Sequence, residues 1–388
     1  MIFFYLLALI PVIVGGVLWI HNHLVSWQQW VIGSASAFAV SGCMHAVAIH
    51  GQTRDTQTIS GQIVEVRQFS AWVEFFEEAI YKTEYYTERE TYTYTTGSGK
   101  NSRTRTGTRN VRKSRQVFSH WSPRTRSHRE HWVAYSNINT KYEIDKPKYL
   151  QIVKDFGGDN PVKGDRTTGE HSSRMIGGDP NDYLAQNKTG YVHPVTKMET
   201  WENRVKAAPS TFSFRRLTKE QSLKVKNWPE NKNPWVSDRV INAPISYMNW
   251  DQMNARLGPI KKVNAIIVKA ESPEEIELIQ AKWVGGKKND LVLAYCENGG
   301  IVTYTKVFGW TESEDVKSNL SEILLKNKID DSIVPLIEKE IAANYVIKDW
   351  TKFDYLTIDP PTWSYFVLVI VMILVQGALW YFFIFNPA

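Results

Sequence analysis

Cysteine is nearly absent from this chain. Cys43 lies in an apolar run and Cys296 is the only thiol of the polar region, so that region cannot close an internal disulfide, which is compatible with a reducing compartment. Charge is missing from three stretches, Ile2 to Ile20, Trp30 to Ile49 and Trp363 to Phe385, and acid is missing from Lys100 to Arg129. Apolar side chains are scarce between Gly157 and Asp182, a stretch that reads as loop because it has too little surface to bury. No Walker, dinucleotide-binding or catalytic-serine motif occurs, nor a convincing repeat or heptad pattern, so the common nucleotide and acyl-transfer chemistries have no foothold.

The uncharged stretches are the organising feature. At ~1.5 Å per residue, Trp363 to Phe385 is long enough to cross a hydrocarbon core of ~30 Å. Trp363, Tyr365, Trp380 and Tyr381 supply interfacial aromatics. The two N-terminal runs are separated only by HNHLVSWQQ, which predicts a helical hairpin. The first has no basic leader and no clear cleavage site, and is read as retained rather than as a signal peptide. In the second, Gly33, Ala37, Ser41 and His45 recur every four residues, giving one small-residue face for close helix packing. Arg54, Arg67, Lys348 and Lys352 flank the middle region while the hairpin turn has no Lys or Arg, which predicts a cytoplasmic middle region.

The expected architecture is an α+β membrane protein with three transmembrane helices. Residues 1–50 form the hairpin, 51–254 a β-rich soluble module, 255–361 a β-α-β-β-α-α module, and 362–388 the last span. In the β-rich module, alternating strands on either side of Gly97-Ser98-Gly99-Lys100 predict a long hairpin, in which closure about that turn pairs Glu88 with Arg109 and Glu84 with Lys113. Its basic strand presents Arg103, Arg105, Arg109, Arg112, Lys113 and Arg115. Such a run can be a solvated ribbon with charges paired across strands, the reading the nearby glutamates favour, or a surface for anionic lipid; nucleic acid is the least supported partner. His128 and His131 are candidate metal ligands, but on a strand they point to opposite faces beside repelling arginines, so no metal or other cofactor is assigned. A short helix is expected from Lys146-Pro147.

The C-terminal module is the most legible. A strand over Val263 to Lys269 leads to Ser272-Pro273-Glu274-Glu275, an N-cap with Pro at the first helical position. Strands over Leu291 to Cys296 and Ile301 to Phe308 turn at Asn298-Gly299-Gly300. Thr311 and Glu314 are expected to cap the next helix, and Ser332 to Asn344 to form the last.

The stretch AKWVGGKKNDLVLAYCENGGIVTYTKVFGWTESE, with TWENRVKAA, HREHW and the double N-terminal span, resembles a group of uncharacterised membrane proteins of bacteria and tailed bacteriophages. Trp283, Gly285, Gly286, Lys288, Asn289, Phe308 and Trp310 carry the likeness, and Lys287 and Gly309 depart from it. The strand and helix order is also similar to the membrane-associated TPM domain. That resemblance implies either an assembly role or phosphate-ester hydrolysis, and transfers no catalytic residue.

Gly285, Gly286, Lys287, Lys288 and Asn289 form the candidate anion site, because glycines permit a backbone N–H nest and two lysines add charge; a helix C-cap and surface turn is the plain alternative. Asp290 is a further candidate ligand. Two function classes stand open: a membrane-anchored interaction or scaffold protein whose partners are the bilayer and other proteins, or a hydrolase using Asp290, Glu297 and Glu312.

Overall fold

In the computed structural model, residues 5–20, 25–96, 103–164, 173–177, 181–208, 215–230 and 233–385 are described. In chain order the first elements are α1 (Leu9–Ile20), α2 (Trp27–Thr53), β1 (Arg54–Phe69), β2 (Trp72–Thr96), β3 (Arg103–His128), β4 (His131–Ser136), β5 (Lys141–Ile144) and α3 (Lys146–Phe156). There follow β6 (Asn160–Lys163), β7 (Ser173–Gly177), β8 (Asn181–Gln186), β9 (Pro194–Glu202), α4 (Arg204–Ala207), α5 (Lys219–Lys224), β10 (Val240–Ile241) and α6 (Tyr247–Lys261). The last are β11 (Asn264–Lys269), α7 (Pro273–Lys282), β12 (Asp290–Asn298), β13 (Ile301–Gly309), α8 (Asp315–Lys326), α9 (Val334–Asn344) and α10 (Thr362–Phe385).

Contacts divide the chain into two units, one of Met1–Gln62, Ser136–Thr140 and Val192–Ala388, the other of Ile63–Tyr135 and Lys141–Tyr191. The boundary expected at Asn254 falls inside α6. The longer unit reaches back to β1 because β9 pairs with its first half, from Arg54↔Glu202 to Gln62↔Pro194. Sequence distance hides such pairing.

In the longer unit, β10, β11 and β12 are parallel and β13 returns antiparallel. The strand residues of NAIIVK and DLVLAYC are buried on both faces, the pattern of a sheet covered by helices on either side. Ile267, Leu293 and Tyr295 pack toward Trp250 of α6, Leu320 of α8 and Ile337 of α9. Ile266, Val292 and Cys296 pack toward Ile276 and Ile279 of α7 and toward Trp283. The expected β-α-β-β-α-α order is present. Ser272 accepts from the Glu275 N–H at 3.3 Å and caps α7 as expected. Thr311 does not cap α8: its hydroxyl donates to the Val346 carbonyl at 2.7 Å, because the chain just after α9 bridges back to it.

Among the described residues two helices, α2 and α10, are long and apolar enough to cross a membrane. The third expected span is not shown among the described residues. The regular helix α1 has 12 residues, about 18 Å of rise against a ~30 Å core. The small-residue face of α2 is real: Gly33, Ala37 and Ser41 are buried. A Cβ at Gly15 or Gly33 would stand 2.4 or 2.5 Å from the Trp380 ring, so both glycines exist to let that indole between α1 and α2. Gln376 donates to Ser36 Oγ at 2.7 Å, joining α10 to α2. With Cys43 replaced by Ala, Ser36→Cys and Gln376→Cys should form an oxidative crosslink. Adding Gly33→Leu, which drives a side chain into Trp380 at a cost of about 1–3 kcal/mol, should reduce its yield severalfold; an unchanged yield would refute this packing.

In the shorter unit the second half of β1 pairs with β8 and β8 with β6, while β4 pairs with β5. The segment 157–182, expected to be loop, thus supplies β6, β7 and the start of β8, because ladder pairing replaces the burial that its composition lacks. The helix expected at Lys146-Pro147 is α3, capped by Asp145 accepting from the Lys148 N–H at 3.0 Å.

β2 and β3 form a ribbon of 25 residues per strand or more, roughly 80 Å at ~3.3 Å each. Its turn lies outside the described residues. Beyond it the register is Glu90↔Arg109, Glu88↔Val111, Glu84↔Arg115, two residues from the expected pairing. A two-residue shift keeps every side chain on its face, so the charges still meet: Lys113 lies 3.0 Å from Glu88 and 2.8 Å from Glu90. Arg115 lies 3.4 Å from Glu84 and Arg109 3.5 Å from Glu90. β7 pairs with β2 only between Phe75 and Glu78.

Candidate functional site

The site begins where parallel β11 and β12 start side by side, Asn264 opposite Asp290. The strands carry apolar side chains inward, and the first position of each is a polar residue closed off by the segments above it. Asp290 is fully buried. Its Oδ1 accepts from Asn264 Nδ2 at 2.7 Å, and its Oδ2 from Trp228 Nε1 at 2.6 Å and the Lys287 N–H at 2.8 Å. Burial pushes its carboxyl above the ordinary range, and these hydrogen bonds only partly offset that.

The network continues inward. Asn264 Oδ1 accepts from Arg239 Nε at 2.6 Å, while Arg239 Nη2 donates to Ser60 Oγ at 2.7 Å and Nη1 to Asp251 Oδ1 at 3.2 Å. Ser237 also donates to Asp251. Burial lowers the Arg239 pKa, opposed by Asp251, and raises that of Asp251, opposed by Arg239. Asn289 Nδ2 donates to the Thr58 carbonyl at 2.7 Å. These groups tie β1, α6, β11 and β12 into one polar core.

The glycine loop is positioned by α7's end. Val284, Gly285 and Gly286 take positive φ of 52°, 74° and 95°. Yet the expected nest is already filled: Gly285 N–H donates to the Gln280 carbonyl, Gly286 N–H to that of Trp283, and Lys287 N–H to Asp290. The protein's own carboxylate occupies the place of an anion. Lys288 lies over the Trp201 ring at 5.3 Å and Asn289 is interior. Lys287 is left reaching Asp55 and the face of Trp228.

Lys287 borders a small cavity of about 140 Å³ together with Asp55, Asn203, Lys206, Lys282 and Gly286, walled by Trp228, Trp283 and Trp310. Three stretches far apart in sequence, TWENRVKAA, AKWVGGKKND and FGW, meet there. Burial would raise the Asp55 pKa, but hydrogen bonds from Lys287 and Asn203 and the Lys287 charge outweigh it and hold the carboxyl below its ordinary value. Asp55 follows the last turn of α2, where Asn203 N–H donates to the Thr53 carbonyl at 2.6 Å. Gln52 reaches the Asp359 carbonyl at 3.2 Å, three residues before α10. The cavity therefore lies beside the end of α2, whose Gln52 in turn contacts the segment leading into α10.

The other candidates do not join it. Glu297 pairs with Lys269 at the opposite end of β12 from Asp290, roughly 23 Å away at ~3.3 Å per residue. Glu312 is held by Lys352 at 2.9 Å and Lys348 at 3.4 Å; the Lys352 hydrogen bond, then that from the Asp349 N–H, brings its pKa to about 2. His128 stacks on Trp72 at 4.6 Å and bonds Glu74 at 2.9 Å, whereas His131 stacks on Phe69 at 4.6 Å. No group of three or more metal-ligating side chains occurs among the described residues. Of the basic-strand residues, Arg109, Lys113 and Arg115 pair with glutamates and Arg112 lies over Tyr85 at 4.3 Å. Arg105 is exposed, and the side chain of Arg103 lies outside the described residues.

Asp55, Asn203, Lys206, Trp228 and Arg239 carry the site and were not singled out by sequence. The available signals were an Asp two residues past an apolar helix and an Arg followed directly by the apolar pair Val240-Ile241. No protein-family profile, curated protein or solved structure matches this chain, so the functional reading rests on the site and the ribbon themselves.

Proposed function

We propose that this is a membrane-anchored interaction or scaffold protein, held in a bacterial inner membrane by its apolar helices with the polar region in the cytoplasm and the β2–β3 ribbon as its contact arm. One observation carries the reading. Beyond Ile80 the ribbon is two-stranded among the described residues, and such a hairpin buries little by itself. Tyr81, Tyr85 and Phe118 are 50%, 63% and 45% exposed on one face, an arrangement that suits a protein partner. The cross-strand ion pairs argue against a ribbon devoted to nucleic acid, since most of its positive charge is already opposed. Hydrolysis through Asp290, Glu297 and Glu312 lacks convergent carboxylates, because the first is sealed and the other two are separately paired. The resemblance of the β-α-β-β-α-α order to the TPM domain is in keeping with an assembly role.

The test applies lysine-reactive crosslinkers, one membrane-permeant and one impermeant, to intact bacterial cells producing the full chain. Intermolecular links from Lys82 and Lys113 with the permeant reagent alone are expected. Equal reaction with the impermeant reagent would move the polar region outside. Only intramolecular links with both reagents would overturn the interaction reading.

A further inference from the structure

We propose that the cavity between Lys206, Lys282 and Lys287 binds one phosphate group, either as free phosphate or as the headgroup phosphate of an anionic lipid. The size selects the ligand class. A volume of about 140 Å³ equals roughly four to five waters at ~30 Å³ each, enough for one tetrahedral oxyanion and part of its hydration. It is well below the ~300–1,000 Å³ of pockets for drug-sized ligands.

Charge selects the sign. Three lysines face one carboxylate, and Asp55 is already engaged by Lys287, with Lys206 at 3.8 Å. Lys282 Nζ donates to the Ser222 and Val225 carbonyls, which uses two of an ammonium's three hydrogens and leaves the third for a ligand. Lys206 is 44% exposed at its side chain, so it can swing onto an entering anion.

The walls add strength without competing. The indole N–H groups of Trp228, Trp283 and Trp310 are donated to Asp290, the Lys226 carbonyl and the Gly286 carbonyl. They therefore present ring surface that excludes water and leaves recognition to the lysines, whose attraction grows in the lower dielectric. The position of Asp55 just beyond the end of α2 puts the cavity where lipid phosphates lie if that helix spans. Free phosphate binding does not require that orientation, nor the scaffold reading.

The experiment uses the full chain in uncharged detergent micelles and isothermal titration with inorganic phosphate, with short-chain phosphatidic acid, and with phosphatidylcholine of the same chain length. Saturable one-to-one binding of phosphate or phosphatidic acid is expected. Lys206→Gln should weaken it at least tenfold, Lys206→Arg should retain most of it, and Arg109→Gln on the ribbon should leave it unchanged. Phosphatidic acid binding without inorganic phosphate binding identifies a headgroup site, and inorganic phosphate binding that the lipid does not displace identifies a free-phosphate site. Absence of saturable binding by either, undiminished binding by Lys206→Gln, or loss in Arg109→Gln would overturn the proposal.

Discussion

Replacing Arg239 with alanine is expected to destabilise the unit containing the β10–β13 sheet by about 3–5 kcal/mol, a large part of the ~5–15 kcal/mol that holds a typical domain folded. The guanidinium is 1% exposed and serves three partners, Asn264, Asp251 and Ser60. Removing it leaves the Asp251 charge buried with only the Ser237 hydroxyl beside it. The cost comes from that stranded charge more than from the lost attraction. Converting the pair together, Arg239→Met with Asp251→Leu, should therefore recover most of the loss, since a well-packed apolar pair can replace a buried ion pair at little net cost. Urea unfolding of the full chain in micelles, followed by tryptophan fluorescence, measures both. A single variant within 1 kcal/mol of the parent, or a double variant no better than the single, would refute this account.

Asp290→Ala is expected to cost a similar amount, about 3–5 kcal/mol, because it strands three buried donors at ~1–3 kcal/mol each, moderated by relaxation. Trp228, Asn264 and the Lys287 N–H lose their acceptor together. Asp290→Asn is no remedy, since its amide would set a donor against one of them. The pH dependence separates this residue from the acids around it. Burial raises the folded Asp290 pKa above its ordinary value of 3.8, so the folded state binds the proton more tightly than the unfolded one. Its contribution to stability therefore falls as pH rises from about 4 through the elevated value, and the deficit of Asp290→Ala should be widest at the acid end of that window. Asp55 and Glu312 act oppositely: their lowered values give stability above the unfolded pKa that is lost as pH falls through the folded one. A deficit independent of pH would show that Asp290 does not carry the shift assigned to it.

How much of this was legible beforehand depends on the range of the forces involved. Local patterns were read well. Two of the three runs without charge became the long helices α2 and α10, the Ser272-Pro273 start became the α7 cap, and the alternating strands became the ribbon with its charges paired. Each follows from period, capping chemistry or hydropathy within a few residues. The ribbon's register missed by two because it depends on a turn whose length composition does not set. The glycines of the candidate anion site take the positive φ that such a loop needs, but that Asp290 accepts from its Lys287 N–H was not foreseen, because Asp290 looks like a turn residue until the Trp228 and Asn264 side chains are brought to it.

The sequence by itself therefore determined the apolar helices, the β-α-β-β-α-α order and the paired charges of the ribbon, all of which arise from neighbours along the chain. Only the tertiary structure decided which polar groups are sealed and which face a cavity. Asp55 lies 148 residues from Asn203 and 232 from Lys287, and Arg239 lies 179 from Ser60. Their protonation and availability are set by desolvation and by partners that long-range packing supplies, quantities that no local window contains.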